Sequence, residues 1–126
     1  PAVISYMERV REPFNANLLA QVSACAALDD SAFLKKTLTH VKREKEFLYK
    51  FFKSVKLKYV PSATNFILVD AKRDCKAVFN ELLKKGVIVR DMKAWGFDTF
   101  IRVTIGTHQE NQKFIKALKT VLSYKP

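Results

Sequence analysis

The spacing of apolar residues predicts that the chain opens with two helices. Residues 16–28 are small and apolar almost all round, which is typical of a helix that is buried or packs closely against another helix, and Asn15 is its expected N-cap. Asp29, Asp30 and Ser31 should end this helix and cap the next one. The second helix is predicted over residues 31–55, because one apolar stripe recurs there at intervals of three and four: Leu34, Leu38, Val41, Leu48, Phe52 and Val55.

The rest of the chain alternates between strands and helices. Alternating or continuous apolar runs predict strands over residues 57–60, 65–69, 87–90 and 99–105. Between them, Asp74 caps a third helix that ends at Gly86, and a capping box from Thr107 to Glu110 opens the last helix. The order α-α-β-β-α-β-β-α predicts an α+β fold, a small mixed or mostly antiparallel sheet with helices packed on it, in a single domain of residues 1–126.

Charge raises the question of an anionic partner. The chain has 126 residues, with 23 Lys plus Arg against 12 Asp plus Glu and a net charge of +11. Much of this charge lies on the helix over residues 31–55, where a solvated surface explains it, and the phenylalanines fall mainly at core positions. This makes a nucleic-acid partner the less favoured alternative. No apolar run approaches the roughly 20 residues of a membrane-spanning helix, so we expect no membrane partner. Cys25 and Cys75 stand alone, so we expect no metal site, buried reduced thiols and a cytoplasmic location.

The last strand carries the most informative residue. Alternation places Ile101, Val103 and Ile105 on one face and Phe100, Arg102 and Thr104 on the other. A guanidinium in the middle of a strand pairs with a carboxylate inside the domain, points to solvent, or binds an anion, and the pattern alone leaves these three alternatives open. Arg90, at the end of the neighbouring predicted strand, is a second candidate for the same anion. Its alternative partner is Asp91.

Several blocks of the chain resemble one enzyme family. In order and spacing, they are similar to motifs of the histidinol-phosphate aminotransferases. These blocks are residues 11–17 (REPFNAN), 26–30 (AALDD), 61–69 (PSATNFILV), 86–91 (GVIVRD) and 101–107 (IRVTIGT), followed by Glu110-Asn111 and Phe114-Ile115. Related aminotransferases that act on aromatic amino acids share such blocks, so the substrate is less specified than the family.

The resemblance implies a homodimeric, fold-type I enzyme that depends on pyridoxal phosphate and of which this chain is only the C-terminal small domain. Residues 14–126 would form that domain, and residues 1–13 would be the linker from a missing large domain that carries the cofactor lysine. We therefore expect no catalytic, cofactor-binding or metal-binding residue here, no bound pyridoxal phosphate, and no transamination by this chain alone. The substrates of the parent would be a phosphorylated amine or amino acid and a 2-oxo acid, in histidine biosynthesis.

The same resemblance assigns roles to particular residues. Arg102 matches the arginine that binds the anionic group of the substrate, which is a phosphate in histidinol phosphate and a carboxylate in glutamate. Arg90 matches a second arginine at the phosphate. Asn65 is a third substrate-binding candidate, with a turn-closing side chain as the alternative. Two other readings of the whole chain stay open: a stand-alone binding or regulatory module derived from such a domain, and a basic nucleic-acid-binding domain.

Overall fold

The computed structural model describes residues 2–11, 14 and 16–123. The chain divides into two compact units, Pro1–Thr37 and Leu38–Pro126. Helix α3 (Ser31–Ser54) runs through the boundary between them. None of the helices found in the described ranges is long and apolar enough to cross a membrane.

The first unit is built from helices. It contains α1 (Ala2–Val10), α2 (Leu18–Asp29) and the start of α3. Helix α1 lies in the segment that the resemblance treats as a linker. The side chain of Asn17 caps α2 by accepting a 2.8 Å hydrogen bond from the amide of Ala20, so α2 begins two residues later than the sequence predicted. Asn15, the predicted cap, lies outside the described residues.

Helix α2 does not have the environment that its composition suggested. None of its residues is buried, and Leu18, Leu19, Val22 and Leu28 are all exposed. Cys25 is exposed as well, so the prediction of a buried thiol was wrong for Cys25, although Cys75 in the second unit is buried. The prediction of a buried or closely packed helix was therefore wrong for this structure. The same holds for the start of α3, where Leu34 and Leu38 of the predicted stripe are exposed, whereas Leu48 and Phe52 are fully buried. An apolar stripe shows which face of a helix prefers to be covered, but not whether this chain covers it.

The second unit contains the sheet. Its elements after α3 are β1 (Tyr59–Val60), β2 (Phe66–Asp70), α4 (Cys75–Lys84), β3 (Arg90–Asp91), a short 3-10 helix (Lys93–Trp95), β4 (Phe100–Thr104) and α5 (His108–Val121). The strand order is β1-β2-β4-β3, and each neighbouring pair is antiparallel. The α+β fold is confirmed in its antiparallel form, because β4 lies between β2 and β3 and separates two strands that run in the same direction.

Helices α3, α4 and α5 cover one face of this sheet. The core joins alternate residues of β2 and β4 to apolar side chains of the three helices. Its members include Ile67, Val69, Ile101, Val103, Leu48, Phe52, Val78, Leu82, Phe114 and Leu118. The opposite face carries the intervening strand residues, among them Phe66, Leu68 and Arg102, which are half-buried. Alternation along the strands therefore separates the core from the face that holds the predicted site.

The helix ends in this unit follow the predicted signals. Asp74 caps α4 by accepting a 2.9 Å hydrogen bond from the amide of Ala77, and Gly86 beyond its end has φ of 68°. The capping box of Thr107 and Glu110 opens α5. Within α4, Leu82 is fully buried, whereas the adjacent Leu83 is 44% exposed.

Strand β3 is shorter than the sequence predicted. Pairing with β4 covers only Arg90 and Asp91, and Ile88 is 80% exposed. Residues 87–89 instead line a groove of about 460 Å³, with Val103, Thr104 and Phe114 among the residues on its other side. The two segments separate here, so the predicted strand over residues 87–90 pairs with β4 only at its end.

Candidate anion-binding site

Arg102 lies where alternation along β4 predicted it. Ile101 and Val103 are buried in the core, and Arg102 between them points to the opposite face of the sheet. The antiparallel register places Leu68 of β2 directly opposite Arg102. The guanidinium therefore stands above the middle of the sheet, on the face that α3, α4 and α5 do not cover.

Arg90 comes to the same place from β3. It is the direct register partner of Arg102 on the other side of β4. Directly opposite residues of an antiparallel pair have Cα atoms roughly 4.5–5.5 Å apart and side chains on the same face. The sequence predicted two arginines on neighbouring strands, and the structure makes them a cross-strand pair.

Neither arginine forms an ion pair with a carboxylate among the described residues, so the pairing of Arg90 with Asp91 that the sequence left open is not observed. Each guanidinium instead lies over an aromatic ring. The Cζ atom of Arg102 is 5.1 Å from the ring centre of Phe66, and that of Arg90 is 5.3 Å from the ring centre of Trp95. Ring faces do not neutralise charge, so this cross-strand pair carries two positive charges that no carboxylate among the described residues compensates.

Asn65 is not part of this pair. It precedes β2, and its backbone carbonyl accepts a 2.8 Å hydrogen bond from the amide of Ile105, beyond the end of β4. Alternation from Phe66 assigns Asn65 to the other side of the ladder. The adjoining turn is closed by other side chains, since the hydroxyl of Ser62 accepts a 3.0 Å hydrogen bond from the amide of Thr64. The structure thus brings Arg90 and Arg102 together and leaves Asn65 apart.

A second polar cluster escaped the sequence analysis. The carboxylate of Glu44 in α3 is only 1% exposed. It accepts hydrogen bonds from the Nδ2 atom of Asn111 at 3.0 Å, the Nδ1 atom of His108 at 3.1 Å and the Nε atom of Arg43 at 3.1 Å. Glu44 stands four residues before Leu48 and three after Val41, on the apolar stripe of α3. An acidic residue on that stripe was the signal that could have revealed the cluster.

This cluster ties α3 to the end of β4 and the start of α5. Asn111 donates to the backbone carbonyl of Gly106 at 3.1 Å, and the Nε2 atom of His40 donates to the same oxygen at 3.0 Å. Because a carboxylate only accepts, His108 uses its Nδ1 proton on Glu44, while Gln112 donates to its Nε2 atom at 3.0 Å. These contacts fix the connection that follows the strand of Arg102.

The Glu44 carboxyl responds to two opposing effects. Burial raises its pKa, whereas hydrogen bonds from Asn111, His108 and Arg43 lower it, and the net result is a pKa below the usual value. Glu44 therefore remains a carboxylate in the folded protein at neutral pH.

That no residue of this chain binds pyridoxal phosphate stays a prediction; binding of this cofactor requires an amine positioned to form an imine inside a cleft. Lys113 lines the groove beside residues 87–89, but its Nζ atom donates to the carbonyl of Gly86 at 2.9 Å. Lys45 donates to the carbonyl of Ser62, and Lys93 pairs with Asp74. No group of acidic, His or Cys residues suited to a metal ion occurs in the part of the chain that the structure describes.

Curated sequences similar to this chain include histidinol-phosphate aminotransferases from several bacteria. The protein from Moorella thermoacetica is 53% identical over 123 residues, which is 98% of this chain and 32% of that protein. The protein from Caldicellulosiruptor saccharolyticus is 47% identical over 120 residues, 95% of this chain and 34% of that protein. The chain thus spans about a third of the length of the curated relatives it matches.

Solved structures show the same fold, and a family match gives the assignment. The histidinol-phosphate aminotransferase of Sinorhizobium meliloti, in complex with pyridoxal-5'-phosphate, has a TM-score of 0.75 and 24% identity, covering 97% of this chain and 34% of that one. The enzyme from Clostridium acetobutylicum has a TM-score of 0.73 and 22% identity, covering 98% and 39%. The sequence model of the family "Aminotransferase class I and II" matches residues 1–118. The chain therefore belongs to the class I and II aminotransferase family.

Proposed function

We propose that this chain serves as the small domain of a pyridoxal-phosphate-dependent aminotransferase that transfers an amino group between histidinol phosphate and 2-oxoglutarate, in histidine biosynthesis. Its contribution is to hold the anionic group of the substrate on Arg102, with Arg90 as the second ligand. The observation that carries the proposal is the cross-strand pair of guanidinium groups without a carboxylate partner among the described residues.

The charge of the pair favours a phosphate monoester. Two cations side by side repel each other, and a dianion between them neutralises both at once. Guanidinium groups also bind phosphate oxygens through two parallel N–H donors, a geometry that fixes the orientation of the ligand. A single carboxylate could accept hydrogen bonds from both arginines, but its one negative charge would leave one of the two positive charges uncompensated. The names of the similar curated proteins support a phosphorylated substrate as well.

The rest of the active site would come from outside this chain. We propose that the imine-forming lysine, the cofactor pocket and the partner subunit of a homodimer belong to a large domain, with residues 1–13 as the linker to it and residues 14–126 as the small domain. Asn65 lies beside the end of β4, where its carbonyl accepts from the amide of Ile105. It would contact the substrate as a third residue when the large domain lies against this end of the sheet. In this arrangement the 126-residue chain alone does not transaminate, and the enzyme acts in the cytoplasm.

The proposal is tested by replacing Arg102 in a full-length enzyme. A charge-assisted hydrogen bond contributes about 1.5–3 kcal/mol, so Arg102→Ala should lower kcat/KM for histidinol phosphate at least tenfold. The absorbance of bound cofactor should not change. Lys84→Ala is the matched control, because it removes the same charge from α4, which covers the opposite face of the sheet. Unchanged kinetics in Arg102→Ala would refute the assignment.

The intact mass of the protein in cells separates this proposal from a stand-alone module. A species of more than about twice the length of this chain is expected for the two-domain enzyme, given the length of the relatives. A species of about 126 residues would favour a binding or regulatory module instead. Submicromolar DNA binding at moderate salt would revive the nucleic-acid alternative.

A further inference from the structure

We infer that Trp95 and Phe66 are positioning residues of the anion site, each serving as an aromatic platform that holds one guanidinium group in a binding orientation. This inference rests on the proposed function of Arg90 and Arg102. It extends that proposal by naming the side chains that prepare the two arginines before an anion arrives.

The arginine pair needs such support. Like charges directly opposite each other on an antiparallel pair are destabilising, and arginine side chains are long and flexible. Without a partner, Arg90 and Arg102 would turn away from each other into solvent. The described residues supply no carboxylate that would hold either of them. The stacked rings are the contacts that keep both side chains above the sheet.

The two platforms are themselves fixed by the fold. Phe66 opens β2 and pairs in register with Thr104, so its ring lies diagonally beside Arg102 on the same face. Trp95 ends the short 3-10 helix, where its amide donates to the carbonyl of Met92 at 3.0 Å. Gly96 then turns the chain at φ of 79°.

An ion pair holds the Trp95 loop against α4. The Nζ atom of Lys93 lies 2.8 Å from a carboxylate oxygen of Asp74, the N-cap of α4. The contact raises the pKa of Lys93 and lowers that of Asp74 through their mutual hydrogen bond. Trp95 nevertheless remains 53% exposed. A large ring held at the surface by a tied loop, with a guanidinium over its face, fits a platform better than a core residue.

Stacking suits anion binding because it uses only the face of the guanidinium. The N–H donors lie in the plane of the group and stay available at its edge. A side chain that is already ordered loses less conformational entropy when the ligand binds, so the platforms raise affinity without touching the anion. Removing a platform should therefore weaken binding, while a different aromatic ring at the same position should restore it.

The test uses the 126-residue chain with inorganic phosphate as the probe, at mildly alkaline pH. Trp95 is the only tryptophan, so its fluorescence reports directly on the ring beneath Arg90. We expect phosphate to change this fluorescence with a Kd that calorimetry reproduces. Trp95→Ala and Phe66→Leu should each raise the calorimetric Kd about three- to tenfold, and Trp95→Phe should stay within about twofold of the parent. Phe97→Ala is the matched control, because this ring of the same loop contacts Phe100 instead of an arginine.

The outcomes separate this inference from the proposed function. If Arg102→Ala abolishes phosphate binding while Trp95→Ala and Phe66→Leu bind as the parent does, the inference is wrong and the proposed function stands. If the parent chain itself does not bind phosphate, the inference is wrong, whereas the proposed function is decided by the kinetics of Arg102→Ala in the full-length enzyme. Because a substituted chain could misfold, a further NMR measurement tests the inference on the unsubstituted protein. The Nε–H group of Arg90 in the unliganded parent should give an NMR order parameter above about 0.6, and a lower value would overturn the inference.

Discussion

Replacing Glu44 by Gln should destabilise the second unit by about 2 kcal/mol at neutral pH. Gln keeps the shape of the side chain but removes the charge and turns one acceptor oxygen into an NH₂ group. One of the three hydrogen bonds to Glu44 must then be lost, because Asn111, His108 and Arg43 all donate. The other two become neutral hydrogen bonds.

The magnitude follows from where each donor lies. The side chain of Arg43 is 70% exposed, so the NH₂ group can face it and Arg43 can turn to water at a cost of less than about 1 kcal/mol. The amide oxygen then keeps Asn111 and His108. A hydrogen bond to a charged group contributes about 1.5–3 kcal/mol and a neutral one about 1, so each retained bond loses roughly 0.5–1 kcal/mol. The sum is about 2 kcal/mol.

The pH dependence gives the sharper test. The folded-state pKa of Glu44 lies below its ordinary value, so its carboxylate stabilises the fold fully above the unfolded-state pKa of about 4.3. This stabilisation is lost as the pH falls through the lower, folded-state pKa. The gap between the parent and Glu44→Gln should therefore be largest at neutral pH and narrow below pH of about 4. Asp74 and Glu110 also have lowered pKa values, but both proteins contain them, so their contributions cancel in the difference between the two unfolding free energies.

Urea unfolding followed by Trp95 fluorescence measures this effect, since the single tryptophan lies in the second unit. With an m-value of about 1–2 kcal/mol/M, the midpoint should fall by about 1–2 M. Glu81→Gln is the matched control: Glu81 forms an exposed ion pair with Arg73, and its loss should cost less than about 1 kcal/mol. A loss below about 0.5 kcal/mol for Glu44→Gln, or a gap that is unchanged in acid, would refute the reasoning.

The remaining predictions concern the ends of three helices: the start of α5, the end of α4 and the end of the short 3-10 helix. Thr107→Ala removes the hydroxyl that accepts from the amide of Glu110, while the backbone amide of residue 107 can still donate to the Glu110 carboxylate. The variant should cost about 1 kcal/mol in the same urea assay, whereas Thr107→Ser should recover most of it; equal losses in both variants would contradict a capping role. Gly86→Ala and Gly96→Ala should each cost about 1–2 kcal/mol, because both glycines have left-handed backbones. A Cβ at Gly86 would lie 3.2 Å from the Nζ atom of Lys113, the far end of a flexible side chain, so a much larger loss at Gly86 than at Gly96 would contradict this account.

Local patterns predicted the parts of the site that depend on local geometry. Alternation around Arg102 requires only that residues 99–105 form a strand with one buried face, and the structure confirms it. The direct pairing of Arg90 with Arg102 depends on how the chain turns between them. That turn contains a 3-10 helix, which the hydrophobic pattern of the sequence does not predict. The stacking of Arg102 on Phe66 joins residues far apart in sequence, so no local pattern contains it.

The apolar stripe of α3 predicted burial wrongly where other elements determine which part of the helix is covered. The stripe of α3 predicts burial equally for Leu38 and Leu48, but only Leu48 meets the core. Glu44 shares that stripe, yet its charge argues against burial, so the apolar pattern does not predict its buried position. Hydrogen bonds from Asn111 and His108 of α5 offset the cost of removing this carboxylate from water. These contacts arise only in the tertiary fold, so no local pattern contains them.

The exposed apolar surface of α2 has a thermodynamic consequence. A helix of 12 residues is marginal in water on its own, and α2 buries none of its residues to offset the entropy of ordering them. Any surface that binds the helical form stabilises it by mass action, by about 2.7 kcal/mol when present at a hundred times its dissociation constant. The helical population of this segment therefore rises with the concentration of a surface that binds it, whereas the second unit, whose sheet packs on its own buried core, does not depend on that surface.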